Sequence, residues 1–228
     1  AENVVDDVFE YEIINGCLKI DYSPDLNFNL LQFDYESPVI NVTVPEKVFE
    51  NVNFSVKAGT FNADCVKSNN FTFLLTAGEA YFTNVATYNS SQIKMTAGDC
   101  YFEDSYFTDA DINLTAGDMN FERCSLTDDN KINMTAGELY MALMGSRSDY
   151  KISIDKTAGD VYINGYDEDE EYAVTTFIYE TAVPNNIEEV TDVTVTEPIS
   201  QKNLVGTIDI KVTAGDCNID FMEEEYYE

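Results

Sequence analysis

The stretch Gln92–Phe102 reads QIKMTAGDCYF, and its kernel, Thr96-Ala97-Gly98-Asp99, recurs along the chain. The same four residues, with Glu sometimes in place of Asp, stand at Thr76–Glu79, Thr115–Asp118, Thr135–Glu138, Thr157–Asp160 and Thr213–Asp216, with a looser copy at Lys57–Thr60. The kernel glycines Gly59, Gly78, Gly98, Gly117, Gly137, Gly159 and Gly215 lie 19, 20, 19, 20, 22 and 56 residues apart. A period near 20 residues marks a repeat architecture and has to be read before anything else.

Five residues before each glycine stand Phe54, Phe73, Ile93, Ile112, Ile132, Ile154 and Ile210; three before stand Val56, Leu75, Met95, Leu114, Met134, Lys156 and Val212. Polar residues such as Lys94, Asn113 and Lys211 separate the two columns, which is the period of a half-buried strand. After the glycine, apolar columns fall at plus two (Phe61, Ala80, Cys100, Met119, Leu139, Val161, Cys217) and plus four (Ala63, Phe82, Phe102, Phe121, Met141, Ile163, Ile219). Three residues, not two, separate the kernel alanine from the plus-two column, so an unbroken strand would turn one set outward and the chain must bend at Gly-Asp. Glycine suits the bend through φ > 0, Ala is small enough to face inward there, and Asp can cap turn amides. Lys156 breaks its column, and the 22-residue interval predicts a bulge before Thr157.

A 20-residue unit cannot bury its own apolar face, so units must stack at a strand spacing of about 4.8 Å. The expected fold is all-β, a single-stranded right-handed parallel β-solenoid of roughly 20-residue coils with an N-terminal β cap and an inserted segment near the C-terminus. Residues 1–228 read as one domain: 1–53 as cap and first strands, 54–165 as regular coils, 166–206 as an acidic insert and 207–228 as the final coil. Strand-like runs at 8–14, 17–21 and 38–44 are expected to cover the first coil's edge. Phe61 and Ala63 should lie beside Ala80 and Phe82, large against small. The return of each coil reads as polar, as in Asp128-Asp129-Asn130, and Val85, Ser105, Cys124 and Met144 either form a third short strand or plug it.

Asp and Glu number 43 against 12 Lys and Arg in 228 residues, a formal charge of -31. Such a chain cannot bind a phosphate backbone by counterion release, so nucleic acid is excluded as a partner; the plainest use of the charge is solubility. No run of about 20 apolar residues exists. The opening Ala1-Glu2-Asn3 is unlike a signal peptide, so any leader or anchor is expected to have been trimmed, and membrane contact is expected only through it. Five widely spaced cysteines without a C-x-x-C pair, and no histidine, argue against a zinc site, a catalytic triad or any cofactor; the cysteines read mostly as small core residues.

The strings INVTVP at Ile40–Pro45 and NFSVKAG at Asn53–Gly59, the repeated I-x-M/L-T-A-G-D-x-x-F and GDVYING at Gly159–Gly165 resemble the bacterial adhesin-type families of β-strand repeats, over Val8–Phe221. The resemblance implies a strand, Gly-Asp corner, strand repeat and an extracytoplasmic setting at the cell envelope or surface. It defines no catalytic residues.

Three surfaces are candidates for function. The plus-three column points outward and reads Asn62, Tyr81, Tyr101, Asn120, Tyr140, Tyr162 and Asn218; its tyrosines Tyr81, Tyr101, Tyr140 and Tyr162 would suit a surface glycan or protein, though tyrosine is also a good strand former. The acidic corner column Glu79, Asp99, Asp118, Glu138, Asp160 and Asp216 is a weaker calcium ladder, for which Asp99, Asp118, Glu138 and Asp160 are the expected ligands, against turn capping and solvation as the plainer reading. The threonine file next to the corners lacks the paired spacing of an ice-binding array. Paired carboxylates with Arg123 or Arg147 would be needed for a solenoid glycosidase or lyase, and the acids are too dispersed to mark a cleft. The sequence therefore favours a non-enzymatic envelope interaction module over a sensory ectodomain of an envelope-stress system, and both over a carbohydrate-active enzyme.

Overall fold

The computed structural model describes residues 1–2, 4, 8–23, 38–164, 166–167 and 204–222. The chain divides into two compact units, Ala1–Pro45 and Glu46–Glu228. In the first, β1 (Phe9–Ile14) and β2 (Cys17–Tyr22) form an antiparallel hairpin. Asn15 and Gly16 both take positive φ at its turn (52° and 79°), the geometry that Asn-Gly hairpins favour. The third expected run, 38–44, forms no strand: Val39 makes one antiparallel bridge to Glu2, and Val42 and Val44 are exposed. Alternation makes a segment compatible with a strand, but only a paired neighbour makes it one.

The second unit is a stack of parallel coils. Its strands are β3 (Val48–Val56), β4 (Thr60–Asp64), β5 (Lys67–Leu75), β6 (Glu79–Thr83), β7 (Ala86–Met95), β8 (Asp99–Glu103), β9 (Tyr106–Thr108), β10 (Ala110–Leu114), β11 (Asp118–Met134), β12 (Glu138–Met144), β13 (Tyr150–Lys156), β14 (Val161–Ile163), β15 (Tyr166–Asp167), β16 (Gly206–Val212) and β17 (Asp216–Met222). One face of the stack pairs β3, β5, β7, β9 with β10, the C-terminal half of β11, β16 and β13; the other pairs β4, β6, β8, the N-terminal half of β11, β12, β17, β14 and β15. All these pairings are parallel except β14 with β15, where an antiparallel strand closes the second face.

The apolar columns register as the repeat requires. Ile93 pairs with Phe73 and Ile112, Phe82 with Ala63 and Phe102, and Phe61 with Ala80. Phe82, Phe102 and Phe121 stack with ring centroids 4.8 and 4.9 Å apart, near-parallel, and all three are fully buried. The return is strand too: Asp128, Asp129 and Asn130 lie inside β11. Five coils turn a second corner at a residue of positive φ, namely Cys65, Asn84, Asp104, Arg123 or Asn164, and the coil of β12 does so at Gly145. Val85, Ser105 and Cys124 are buried just beyond it. Where that return meets the apolar columns, Ser91, Thr87, Thr108 and Asn130 are buried but bonded, Thr87 Oγ1 to Ser91 Oγ at 2.5 Å and Asn130 Oδ1 accepting from Ala110 N at 3.0 Å.

Two expectations at the corner change. The kernel alanines Ala77, Ala97, Ala116, Ala136 and Ala214 are half-buried and Ala158 is exposed, so the bend carries them out of the core. The corner amides bond the preceding coil instead of their own Asp: Asp99 N donates to Gly78 O and Asp118 N to Gly98 O, both at 3.0 Å. Glycine is required twice over, because Gly98 has φ 99° and a Cβ on it would overlap the carbonyl oxygen of Gly78.

The largest departure is in coil order. The coil of β16 and β17, last in the chain, is sixth of seven in space. It lies between the coil of β11 and β12 and that of β13 and β14. The bulge expected before Thr157 is therefore absent: β13 pairs with β16 without a slip from Tyr150↔Gly206 to Lys156↔Val212. The extra length of the 22-residue interval instead falls with the turn after β12, where Gly145 and a 3-10 turn at Arg147–Asp149, capped by Ser146 and Asp149, step over the place that the last coil fills. Lys156 is tolerated in an apolar column because, among the described residues, β13 is an outer strand.

Candidate functional site

The outward row beside the corners is built by the sheet of β4, β6, β8, β11, β12, β17 and β14. Their alternation buries plus two and plus four and leaves plus three facing out. In spatial order the row reads Asn62, Tyr81, Tyr101, Asn120, Tyr140, Asn218, Tyr162. Tyr81 and Tyr101 stack with centroids 5.0 Å apart and planes 6° apart, and Tyr81, Tyr101 and Tyr140 are 40%, 39% and 38% exposed. Tyr162 is half-buried and separated from Tyr140 by Asn218 of the inserted coil, so Tyr140 and Tyr162 are not neighbours and the stacked pair is Tyr81 with Tyr101. Chain order hides this, because it makes Tyr140 and Tyr162 consecutive.

Carboxylates flank the row on both sides. Toward the corner lie Glu79, Asp99, Asp118, Glu138, Asp216 and Asp160, in file at one strand spacing; beyond the row lie Glu103, Glu122 and Asp220. Tyr81 donates its hydroxyl to Glu79 at 3.2 Å. Partial desolvation, and then the neighbouring Asp99 and Asp118, push the Tyr101 phenol above its ordinary value; desolvation and then Asp220 do the same for Tyr140. Both rings therefore remain neutral hydrogen-bond donors throughout the neutral range. The row offers planar apolar area with a polar tip at regular spacing, which suits stacking against an extended polymer.

At the weaker calcium candidates, Asp99, Asp118, Glu138 and Asp160 stand in a line rather than around a point. The Asp216 carboxylate accepts from Asp160 N at 3.2 Å. Among the described residues no group of three or more carboxylate, histidine or cysteine side chains converges closely enough to hold a metal ion.

Sequence reasoning missed the cluster around Arg123. This residue turns the second corner with φ 52° and pairs Asp104 through Nε at 2.7 Å, Glu122 at 2.6 Å, and Glu103. Its hydrogen bonds hold the Asp104 carboxyl below the usual range. The signal was present in the repeat: Glu103, Asp104 and Glu122 fall on adjacent positions of neighbouring coils, a like-charge stack that needs a cation. Arg147, the other arginine, donates to Tyr150 O at 3.4 Å.

Of the cysteines, Cys100, Cys124 and Cys217 are buried and Cys17 and Cys65 exposed, all as free thiols. Burial pushes Cys124 and Cys217 up to about 12 and Cys100 higher still. No helix among the described residues is long and apolar enough to cross a membrane. A protein-family model described as Toastrack DUF4097 matches residues 15–220. Comparison with curated proteins and with solved structures found no match.

Proposed function

The chain belongs to the Toastrack DUF4097 family, a domain of unknown function, and from that premise we propose that it is a non-enzymatic interaction module of a bacterial envelope, an adhesin acting outside the cytoplasm. Its coils wind right-handed, as the crossover rule for parallel strands requires. The face that binds is the tyrosine row, and the ligand is an extended surface glycan or protein strand lying across the coils. The observation carrying this reading is the parallel, exposed Tyr81–Tyr101 stack on a regular sheet, continued by Tyr140 one coil beyond Asn120. Solvent-exposed rings held parallel at coil spacing present apolar area already ordered for a repeating ligand, which lowers the entropy cost of binding.

The test is retention of the parent and of Tyr101→Ala with Tyr140→Ala on arrays of envelope polysaccharides and surface proteins. The parent is expected to be retained and the double variant lost at unchanged circular dichroism and melting temperature. Equal retention of both, or none by the parent, rejects this face as the site.

A second reading, a sensory ectodomain of an envelope-stress system, draws support from the inserted coil, an element that two neighbours hold and that a long segment, 168–203, connects to the preceding coil.

A further inference from the structure

The coil of β16 and β17 differs from the coils before it in its covalent attachment. The coils at Gly59, Gly78, Gly98, Gly117 and Gly137 follow one another at intervals of 19 or 20 residues, so each is tied at once to the next. The inserted coil has its spatial neighbours at Gly137 and Gly159, which are already joined to each other by the turn at 145–149. It is joined to the coil of β14 and β15 by the long segment 168–203, and its described part ends at Met222. Withdrawing it breaks no short connection. It would leave a slot two strand spacings wide, about 9.6 Å, between β11 and β13 on one face and between β12 and β14 on the other.

That slot is complementary to one occupant. Its lips are the backbone edges that now bond β16 from Asp128 to Met134 and from Tyr150 to Lys156, and β17 from Glu138 to Met144 and from Val161 to Ile163. Its walls are the columns Ile132, Met134, Leu139 and Met141 on one side and Ile152, Ile154, Val161 and Ile163 on the other. Ile208, Ile210, Val212, Cys217 and Ile219 fill it and are buried there. The fit extends to a polar key, since the buried Asn130 donates to Thr207 O of the inserted coil at 3.0 Å and would lose that partner with the slot empty. Two parallel edges facing each other across one missing strand form a template for strand addition, and the matching strand pair exists in every copy of this chain.

We propose that the C-terminal coil is an exchangeable element and that the slot accepts the same coil, residues 204–222, from a second copy of this chain. The 36 residues at 168–203 have a contour of roughly 120 Å, enough to carry the coil to another molecule. Reciprocal exchange fills both slots and closes a two-fold dimer in which the ladders of β16 and β17 are remade between chains. The balance between the two forms is then set by protein concentration against the effective concentration of the tethered coil. Exchange gives copies held close together a way to interlock that does not use the tyrosine row.

The test uses the full chain with Cys17→Ser and Cys65→Ser, and cysteines at the exposed in-register pair Asn133 and Lys211. It is refolded from denaturant at protein concentrations rising in tenfold steps, oxidised, and run on a denaturing gel. Exchange predicts a linked monomer at low concentration and a linked dimer that grows with each step. The control pair, Asn113→Cys with Asn133→Cys, joins coils tied by a short return and should give linked monomer throughout. Monomer alone at every concentration for the Asn133 and Lys211 pair overturns the proposal, as does dimer formed equally by both pairs. Should the cysteine variants fail to fold, the unmodified chain is refolded at the same concentrations and then diluted. A dimer that persists for hours after dilution supports exchange, whereas absence of dimer, or its loss within minutes, refutes it.

Discussion

At the scale of single residues, the repeat is held by positions at which only one side chain serves. Gly98 combines φ 99° with a neighbouring carbonyl where its Cβ would sit, so Gly98→Ala should cost on the order of 3 kcal/mol or more, measured by urea denaturation. Phe102 stacks between Phe82 and Phe121 in a packed column, and Phe102→Ala should cost about 3–5 kcal/mol with the fold retained. Arg123→Ala should lower the melting temperature at neutral pH, less so in high salt, because it leaves Glu103, Asp104 and Glu122 stacked without their cation. Asp104 is held below its unfolded value, so its contribution is complete above that value and is lost as pH falls through the lowered one. Melting curves of parent and variant should therefore converge below about pH 4. A gap that stays constant from pH 7 to pH 3 would mean that the ion pairs are not its cause. The apolar columns and the glycines were legible in the sequence because each recurs with one chemistry at one spacing. Arg123 was not, since it occupies its corner position once and periodicity registers only what repeats.

At the scale of elements, the corner, the two flanking strands and the large-against-small matching of Phe61 with Ala80 could be read from the chain alone. Phase decides which way a residue faces, and phase is visible in sequence. The strand in the return was less visible, because its buried members are Ser91, Thr108 and Asn130, polar residues bonded to one another and to backbone, which look like loop when their partners are unknown. The expected bulge at Lys156 was a misplaced account of the 22-residue interval. The added length crosses a filled place in the stack, and Lys156 lies on a strand that is outermost among the described residues. An element reached through a long connection, unlike coils tied by short returns, should also open before the rest. Cys217 lies in that element while Cys100 and Cys124 lie in coils tied by short returns. Under native conditions Cys217 should react with an alkylating reagent at least tenfold faster than Cys100. Equal rates would mean that the inserted coil opens only with global unfolding.

At the scale of the whole molecule, the second unit's stacking followed from the repeat period and its coil order did not. A period specifies that like columns meet, yet Gly215 can meet Gly137 as well as Gly159, and nothing local distinguishes the two. The long separation before Gly215 was the one hint that the last coil was free to join elsewhere. Of the acidic insert expected at 166–206, residues 168–203 lie outside the described residues. Coil order also reshapes the candidate site, since it puts Asn218 between Tyr140 and Tyr162 and leaves Tyr81 with Tyr101 as the stacked pair. The most direct measurement compares disulfide formation in dilute protein by two cysteine pairs, Asn133 with Lys211 and Asn133 with Asp155, in a background lacking Cys17 and Cys65. Insertion of the last coil predicts rapid intramolecular linkage of Asn133 with Lys211 and none of Asn133 with Asp155. Linkage of Asn133 with Asp155 instead would show the coils stacked in chain order and contradict the account.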